Sequence, residues 1–426
     1  MSNRQVIERR ILKIALARMT EEPLVLIQGP RTVGKTYLLH SLAGLYGTKV
    51  IDLDDRSTLD AVKSDPAWFI RGPSPILIDE YQHEPSLLGA IKAELNKDLR
   101  TGRFMLAGST VSTAIPEVAQ FLTGRFSRLP ILPFSQGEIG NIKETFLESI
   151  LNESFNDNFT QNQSETTRED YVRRIIRGGM PIAINRTTTS RNRWFDEYID
   201  LVLQREVIEV SNIRQRNKLP NLLRYITSQT GQLLNVTQLS QKVGLDRHTT
   251  SDYIALLESI FVIRLLPAWG KTLGRKTSGT PKVHLIDSGI SSRLLCISPT
   301  HLLKRDPTAM TEFGHLLETF VVDELIKQAT WCETTPSWYH WRTYDGDEVD
   351  LIIERDDGAI VGIEVKSGTR VLEKDFRSLR KLREIVGEAF LVGIVLYTGE
   401  LSYRLNDGLL VLPIDRLWAS SDEKDP

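Results

Sequence analysis

An octet of residues near the amino terminus has the types and spacing to bind a phosphate group. It reads G-x-x-x-x-G-K-T, follows an apolar run of strand length at residues 24–28, and precedes a helix-prone segment. Gly29 and Gly34 lack a Cβ, so the backbone can bend around an anion with its N–H groups pointing inward. We expect Lys35 to lie between the β- and γ-phosphates of a nucleotide and the Thr36 hydroxyl to ligate Mg²⁺. The residues predicted to bind the nucleotide are Gly29, Pro30, Arg31, Thr32, Val33, Gly34, Lys35 and Thr36.

A second apolar run, residues 75–80, ends in two carboxylates. We expect Asp79 to hold Mg²⁺ through water and Glu80 to orient and polarise the attacking water, as at the end of a Walker B strand. The next strand-like run ends in Ser109 and Thr110, either of which is placed to sense the γ-phosphate or the attacking water. A plain turn is the alternative for this tip. Together these residues predict hydrolysis of ATP with Mg²⁺ as cofactor.

Two arginines follow, beside a strand-like run at residues 127–132. Arg125 or Arg128 could act as an arginine finger that stabilises transition-state charge on a neighbouring subunit's nucleotide. A finger acting in this way requires a homo-oligomer. A surface ion pair is the alternative for either residue.

A second set of chemically competent residues lies in the last third of the chain. Glu364 and Lys366 are two positions apart on an apolar run, so they share one face of a predicted strand. An Asp357-Gly358 turn predicts a hairpin that brings Asp350 alongside them. Two carboxylates and a lysine on one sheet face suit metal-assisted phosphodiester hydrolysis.

The roles of these residues follow from their chemistry. Asp350 and Glu364 would hold Mg²⁺, and Lys366 would position or activate water and offset developing charge. Glu318, on a helix predicted at residues 313–328, could supply a further metal ligand. The alternative is a surface ion pair between Glu364 and Lys366. The apolar residues around them favour a buried strand, where an unpaired charge is unfavourable.

The composition is that of an ordinary globular protein. The chain has 426 residues, 41% apolar and 25% charged, and a formal net charge of -2, so a nucleic-acid partner would need a local patch. No charge-poor apolar stretch reaches the roughly 20 residues that cross a bilayer, and no signal-length apolar core opens the chain. Cys296 and Cys332 are neither clustered nor flanked by histidines at zinc spacing, which suits a reducing cytosol. We therefore predict a cytoplasmic protein with no membrane partner.

The motifs and composition shifts divide the chain into four predicted parts. These are a P-loop domain at residues 1–150, a linker and helical lid at 151–210, a winged helix-turn-helix domain at 211–285, and a nuclease-like domain at 286–426. An amphipathic helix is predicted at residues 4–19. Residues 152–169 are dominated by Asn, Gln, Ser, Thr and acids, which predicts a loop or hinge. Helices are predicted at 171–176 and 194–210, and the second is expected to act as a lid beside the ATP site.

Three predicted helices, a strand and a Gly/Lys/Arg-rich segment produce the winged-helix pattern. Residues 205–282 carry 12 Lys and Arg against 5 Asp and Glu, a net of +7. The residues at the start of the would-be recognition helix are Arg247, His248, Thr249 and Thr250. This charge favours contact with DNA phosphates. A protein-contact lid is the alternative.

With both sets of motifs in view, the chain resembles a widespread family of bacterial and archaeal AAA-type ATPases. Its members join an amino-terminal P-loop domain to a carboxy-terminal domain of unknown function with a restriction-endonuclease-like, PD-(D/E)xK core. The matching segments are residues 29–36, 78–85, Gly108-Ser109, Gly124-Arg125, Gly178-Gly179-Met180-Pro181, 348–350 and 364–366. In place of the Pro-Asp pair of the nuclease pattern, this chain has Val349-Asp350.

The resemblance implies an α/β fold: a P-loop NTPase domain of the AAA+-like, ASCE type with a parallel sheet, then a winged helix and a restriction-endonuclease-like α/β domain. It also implies ATP binding and hydrolysis. We expect Mg-ATP turnover to be coupled to DNA binding or cleavage. The alternative is a nucleotide-dependent switch or scaffold whose nuclease-like domain is catalytically inactive.

Overall fold

The computed structural model of the protein describes residues 7–109, 124–152, 163–206, 215–272 and 279–419. These residues divide into two compact units. Unit 1 comprises residues 1–134, 197–216 and 253–262, and unit 2 comprises 135–196, 217–252 and 263–426, less the residues outside the described ranges. Each unit has its own sheet and core, and each is described separately.

Unit 1 contains a five-stranded parallel sheet with helices packed against it. Its elements are α1 Ile11–Glu21, β1 Leu24–Gln28, α2 Lys35–Tyr46, β2 Val50–Asp52, α3 Arg56–Ser64, α4 Pro66–Phe69, β3 Ile76–Asp79, α5 Ser86–Lys97, β4 Phe104–Gly108 and β5 Ser127–Pro130. The strand order is β2-β3-β4-β1-β5. All neighbours run parallel, so the carboxyl ends of β1, β3 and β4 lie along one edge. The predicted parallel-sheet fold of this part is confirmed.

The sequence explains why these strands are central. β1, β3 and β4 are buried at every position, as expected for parallel strands covered on both faces. Helix α1 begins at Ile11 and extends to Glu21, two residues beyond the predicted end at residue 19. It buries Ile11, Ala15 and Met19, which recur on one helix face.

Unit 2 is built around a mixed six-stranded sheet. The elements from residue 135 onward, including two helices that have residues in both units, are α6 Gln136–Gly140, α7 Phe146–Leu151, α8 Arg168–Arg177, α9 Thr188–Leu201, α10 Leu219–Thr227, β6 Gln232–Leu233, α11 Val236–Val243, α12 Arg247–Ser259, β7 Ile263–Leu266, β8 Lys282–Leu285, α13 Ser288–Leu294, α14 Pro299–Leu302, α15 Pro307–Ala329, β9 Ser337–Arg342, β10 Glu348–Glu354, β11 Ile360–Lys366, α16 Arg377–Val386, β12 Phe390–Tyr397, β13 Tyr403–Arg404 and β14 Leu410–Pro413. The large sheet has the order β13-β14-β12-β11-β10-β9.

The large sheet is covered on both faces. One face packs on α15 and α7 in a cluster that includes Phe146, Phe320 and Ile363. The other face packs on α16 through Leu379 and Leu382. Strands β10 and β11 form the predicted antiparallel hairpin, with Leu351 opposite Ile363, and this register sets Asp350 beside β11.

A small antiparallel sheet, β6-β8-β7, is fixed to helix α15 by polar contacts. The Thr319 hydroxyl of α15 lies 2.9 Å from the Thr230 hydroxyl and 3.1 Å from His284 Nδ1. Further along α15, Asp323 accepts a hydrogen bond from Arg264 of β7 at 2.9 Å. These contacts hold β7 and β8 against the helix that carries Glu318.

The small sheet also joins the edge of the large one. The amide of Trp269 donates to the carbonyl of His340 at 2.6 Å, and the amide of His340 donates to the carbonyl of Pro267 at 2.9 Å. His340 belongs to β9, so the segment that follows β7 is bonded to the edge strand of the large sheet. The predicted Gly/Lys/Arg-rich wing segment is residues 270–276, of which 273–276 lie outside the described residues.

The Gly178-Gly179 turn has a packing explanation. Gly178 has a φ of +66°, and a Cβ there would lie 2.3 Å from a carboxylate oxygen of Asp287. The amide of Gly179 donates to the same carboxylate at 2.7 Å. Asp287 also accepts from the first amides of α13, so the turn closes onto a buried helix cap.

The structure divides the chain differently from the four predicted parts. Phe146 and Leu147, expected in the nucleotide domain, are buried in the core of unit 2. Residues 153–162 of the expected hinge lie outside the described residues, but Ser164 is buried and its hydroxyl donates to Asp415 at 2.5 Å. Polar contacts therefore anchor the end of a segment that is dominated by polar residues.

The helix predicted at residues 194–210 starts earlier, since α9 begins at Thr188. A single π-helical segment, Val202–Glu206, follows it, and residues 207–210 lie outside the described ranges. Within the described ranges, no helix combines the length and apolar character needed to span a membrane.

Candidate functional site

The phosphate-binding loop connects β1 to α2 in a conformation that requires glycine at both ends. A Cβ on Gly29 would lie 2.0 Å from the carbonyl oxygen of Ile131, so this position must lack a side chain. Gly34 has a φ of +101° and precedes the first residue of α2. The loop therefore approaches β5 closely and opens toward the N-terminus of α2, where backbone N–H groups favour an anion.

Lys35 lies inside this loop. Its side chain is 4% exposed, and its ammonium donates to the carbonyl oxygens of Gly29 and Pro30 at 2.9 Å each. Burial lowers the pKa of Lys35 to about 8, although Glu80 and Asp79 act in the opposite direction. The oxygens that accept these hydrogen bonds belong to neutral carbonyl groups, not to carboxylates. The positive charge of Lys35 therefore remains available to an anion in the loop.

The carboxylates predicted at the end of β3 lie beside this lysine. Asp79 is buried and accepts hydrogen bonds from the Thr36 hydroxyl and from the amide of Glu80, the latter at 3.1 Å. Burial raises the pKa of Asp79, and the Thr36 hydrogen bond opposes that rise. Thr36 and Asp79, the two predicted Mg²⁺ ligands of this domain, are thus brought together.

Glu80 and Ser109 are linked by a residue that we did not predict. The Gln82 side-chain amide donates to Glu80 Oε2 at 2.5 Å and to Ser109 Oγ at 3.5 Å. Glu80 has a φ of 50°, a left-handed conformation that is unusual without glycine and recurs at functional sites. Because β4 lies between β1 and β3, its tip places Ser109 between the loop and the acids.

The two candidate fingers have different surroundings. The Arg125 guanidinium donates to Asn96 of α5 at 2.5 Å. Arg128 lies with its guanidinium 5.6 Å from the Phe126 ring and acts electrostatically on Tyr81, which follows Glu80. Thr110, the alternative to Ser109, lies outside the described residues.

The second predicted constellation is also assembled, on β10 and β11. Asp350 Oδ2 accepts a hydrogen bond from the amide of Val365 at 2.9 Å. Lys366 Nζ donates to Glu364 Oε1 at 2.5 Å. Glu364 and Lys366 therefore form the ion pair that was the alternative, but Glu364 as a residue is 7% exposed, so the pair does not lie on an open surface.

An unpredicted lysine occupies the centre of this constellation. Lys282, the first residue of β8, is 1% exposed. Its Nζ lies 2.8 Å from Glu318, 2.6 Å from Glu348 and 3.0 Å from Asp350. Lys282 was counted in the positively charged segment expected to meet DNA, but its charge is buried among carboxylates. The acids at this position are therefore held by an ammonium group.

The charges in this cluster are mutually dependent. Burial alone would lower the pKa of Lys282, but attraction to Glu318, Asp350 and Glu348 raises it well above its usual value. Burial would raise the pKa of Asp350, but Lys282 and the Val365 amide hold it below its usual value. Burial and repulsion from Asp350 raise the pKa of Glu364 to about 8. Lys282 and Asp350 thus stabilise each other's charged forms, whereas burial and repulsion from Asp350 raise the pKa of Glu318 well above its usual value despite Lys282.

A cleft of about 640 Å³ opens beside the cluster. Its lining residues include Glu318, Asp350, Glu364, Lys366 and Arg342. Glu364 Oε2 is buried without a hydrogen-bond partner among the described residues. No group of three or more His, Cys, Asp or Glu in those ranges could hold a metal ion. The predicted metal ligands Asp350, Glu364 and Glu318 line one cleft, but they are not grouped as metal ligands, and Lys282 is bound to two of them.

Three residues of these sites escaped the sequence analysis. Gln82 lies in the matching segment 78–85, two positions after Glu80, but no role was predicted for it. Glu348 was noted only as part of the Glu348-Val349-Asp350 segment. Lys282 begins an apolar strand, and a lysine there needs a buried partner, which is the signal that could have found it.

Relatives of this chain include proteins of unassigned activity. The uncharacterized protein Rv2008c of Mycobacterium tuberculosis is 25% identical over 419 residues, which cover 97% of this chain and 85% of that protein. An uncharacterized protein of Haemophilus influenzae is 22% identical over 194 residues, 44% of each chain. Among solved structures, the Walker-type ATPase PABY2304 of Pyrococcus abyssi has a TM-score of 0.42 at 13% identity and covers 68% of this chain and 97% of that one.

Three family models match successive parts of the chain. Residues 313–417 match a domain of unknown function (DUF4143), and residues 168–301 match another (DUF8612). Residues 21–140 match an AAA domain. This last match covers the phosphate-binding loop and the acids at the end of β3. The protein therefore carries an AAA-type P-loop ATPase domain in its amino-terminal third, as predicted.

Proposed function

We propose that unit 1 hydrolyses ATP with Mg²⁺ and that this turnover controls the state of unit 2. The observation that carries the first part is the grouping of Lys35, Thr36, Asp79 and Glu80 at the carboxyl ends of β1 and β3. The residues present at this site fit a bound Mg-ATP. Gly29 lacks the side chain that would push the loop away from Ile131, and the buried Lys35 ammonium faces neutral carbonyl groups.

The roles of the residues follow from this geometry. Lys35 and the backbone of residues 29–36 bind the phosphates, and Thr36 and Asp79 hold Mg²⁺. When bound, the metal ion neutralises charge on the transferred phosphoryl group. Glu80 orients and polarises the attacking water, and Gln82 fixes the Glu80 carboxylate in position. Ser109 lies at the other end of the Gln82 contact, where it senses the γ-phosphate or the water.

Phosphate release from ATP tests this proposal. Lys35→Ala should abolish both binding and hydrolysis, whereas Glu80→Gln should retain binding and lose hydrolysis by about a hundredfold or more. Lys49→Ala, which changes an exposed lysine of the same unit, is the matched control and should hydrolyse ATP at the wild-type rate. Equal rates for wild type, Lys35→Ala and Glu80→Gln would refute the ATPase.

For unit 2, we propose a restriction-endonuclease-like core that does not cleave in the arrangement described. The order α15, antiparallel β9-β10-β11, α16 and parallel β12 supports the nuclease-like fold, with Glu364 and Lys366 on the central strand β11. Lys282 supports the absence of cleavage, because an ammonium group bonded to Glu318 and Asp350 competes with Mg²⁺ for the same oxygens. This favours the switch or scaffold over a constitutive nuclease.

We further propose that helices α10, α11 and α12 with the small sheet form a winged helix that contacts DNA. Asp246 caps α12 by accepting from the Thr249 amide at 2.9 Å, so α12 begins at Arg247, where a recognition helix would. Arg247, His248 and Lys242 are exposed. The positive surface is smaller than the sequence suggested, since Lys282 and Arg264 are paired within unit 2.

DNA binding and cleavage are tested together. Labelled duplex and single-stranded DNA are incubated with wild type, with and without ATP, in Mg²⁺ or Mn²⁺. The proposal expects binding that weakens steeply with salt and falls in Arg247→Gln, without cleavage by wild type. Cleavage by wild type that is lost in Lys366→Ala would establish the nuclease instead. Sedimentation with ATP tests the homo-oligomer that a finger from Arg125 or Arg128 would require.

A further inference from the structure

Four of the eight residues that line a cleft of about 370 Å³ in unit 2 are arginines that neither of the sites above uses, and Asp170 is the one acid among the eight. Arg173, Arg174 and Arg177 come from α8, and Arg191 comes from α9. Like charges three and four residues apart destabilise a helix, so this concentration of guanidinium groups requires an explanation. The small size and the lining distinguish the cleft from an open basic surface.

One of the four arginines has a conventional explanation. Arg173 donates to Asp170 at 2.6 Å and lies 4.0 Å from Glu169, at the spacing of surface ion pairs on a helix. Its side chain is 63% exposed. Such a pair contributes little to stability and leaves Arg173 at the rim of the cleft.

The other three guanidinium groups donate hydrogen bonds to neutral oxygens, and that of Arg174 also lies 5.0 Å from the centre of the Trp418 ring. Arg174 and Arg177 both donate to the same side-chain oxygen of Gln136, at 2.9 Å each. Arg191 donates to the Thr188 hydroxyl at 3.5 Å. Within the described ranges these three make no ion pair, and the Nε atoms of Arg177 and Arg191 are buried without a hydrogen-bond partner.

Bringing these three guanidinium groups together is electrostatically unfavourable. Burial, followed by repulsion from Arg174 and Arg191, lowers the pKa of Arg177 to about 10, and burial lowers that of Arg191. The acid that acts electrostatically on Arg177 is Glu324. Its carboxylate already accepts hydrogen bonds from the Lys327 ammonium and from the backbone amide of Gln136. Positive charges held together without their own counter-ions are the arrangement of a site built for an anion.

We propose that this cleft binds a compact polyphosphate, a diphosphate or triphosphate group free or on a nucleoside. Guanidinium forks match phosphate oxygens bidentately, and each of Arg174, Arg177 and Arg191 has donors left over after its present hydrogen bond. Several charges in a cleft of this size favour an anion that carries several charges close together. A phosphodiester backbone carries one charge per residue and spaces them more widely.

The site is independent of the phosphate-binding loop, and the experiment separates the two. Pyrophosphate is titrated into the full chain carrying Lys35→Ala, which should abolish binding at the phosphate-binding loop, and the heat is measured. We expect saturable binding that weakens by about tenfold to a hundredfold when Arg177→Gln and Arg191→Gln are added. Arg193→Gln, an exposed arginine on the same helix, is the matched control and should bind as the parent does.

Competition experiments identify the ligand, and a single variant keeps the test possible if the double variant misfolds. ADP should compete with pyrophosphate, whereas a single-stranded oligonucleotide of equal phosphate content should compete weakly. If the double variant does not fold, Arg191→Gln alone replaces it in the titration, because this change removes only the hydrogen bond with Thr188. The proposal is overturned if pyrophosphate does not bind the Lys35→Ala protein, if the Arg177 and Arg191 variants bind it unchanged, or if the oligonucleotide competes best.

Discussion

The ammonium nitrogen of Lys282 lies 2.6 Å from Oε1 of Glu348. The two residues belong to different sheets of unit 2, since Lys282 opens β8 of the small sheet and Glu348 opens β10 of the large one. Glu348 is also bonded to Arg342 at 2.9 Å. The acids of the nuclease-like constellation are therefore neutralised from outside their own sheet, by the part of unit 2 that we propose to be a winged helix.

Removing Lys282 should create a requirement for a cation. Lys282→Ala leaves Glu318 and Asp350 buried without their counter-charge, which should lower the free energy of unfolding by about 3–5 kcal/mol. A divalent cation can replace the missing charge, so Mg²⁺ or Mn²⁺ should raise the melting temperature of this variant more than that of wild type. Thermal unfolding at several metal concentrations measures both effects.

The matched control for this change is Lys381→Ala. Lys381 bonds Asp347 at 2.5 Å, but its side chain is 37% exposed, so the variant should lose about 1 kcal/mol or less and show no added response to metal. A Lys282→Ala protein as stable as Lys381→Ala, or indifferent to both metals, would contradict the role assigned to the buried ammonium.

The two glycines Gly29 and Gly44 should respond oppositely to alanine. A methyl group on Gly29 meets the Ile131 carbonyl at 2.0 Å, so Gly29→Ala must displace the phosphate-binding loop, with a loss of about 1–3 kcal/mol and of ATP binding. Gly44 lies on α2 with nothing within 4 Å of an added Cβ. Gly44→Ala should therefore gain about 0.5–1 kcal/mol and leave ATP binding unchanged.

Denaturant unfolding and nucleotide titration of both variants check this pair. Intact ATP binding by Gly29→Ala would show that the loop does not need the close approach to β5. A loss of binding in Gly44→Ala would show instead that the site is sensitive to any change near α2.

Glu144 should make the stability of unit 2 depend on pH. Burial, followed by repulsion from Glu324, raises the pKa of this carboxyl from an ordinary 4.5 to about 8. The folded state then holds a proton that the unfolded state releases above about pH 4.5. Stability from this group is therefore greatest at low pH and falls as the pH rises toward about 8.

Glu144→Gln removes this titration and keeps the shape. The amide can still accept from Gly137 and can donate to Ser135, the residues that Glu144 now contacts at 3.0 and 2.7 Å. Relative to wild type, the variant should gain about 1–4 kcal/mol between pH 5.5 and pH 8.5. Melting curves across this range measure the difference, and parallel pH profiles for the two proteins would argue against a protonated Glu144.

Local patterns predicted the elements that carry both sites. The run before Gly29 and the run ending in Asp79 became buried parallel strands because each is apolar throughout and short. The Asp357-Gly358 turn fixed the register that sets Asp350 beside Val365, because a tight turn leaves one pairing for the residues on either side. In these segments the functional residues lie close in sequence to the strands that position them.

Long-range contacts were not predictable in the same way. Lys282 reaches Asp350 across 68 positions, and no periodicity links the two. Gln82 was missed because an amide beside a Walker B acid belongs to no spacing rule. Phe146 and Leu147 were assigned to the nucleotide domain by their position before a polar stretch, but their burial depends on α15, far along the chain. Packing partners distant in sequence decided each of these cases.

The hydrogen bond between Ser164 and Asp415 has a consequence for the order in which the protein is made. It joins residues 251 positions apart. During synthesis the chain emerges amino-terminal end first, so β1 to β5 can assemble while the partner of Ser164 is still untranslated. The second unit must wait for nearly all of its length. A ribosome stalled midway would therefore present a finished ATPase sheet beside an exposed, unclosed remainder that chaperones must protect.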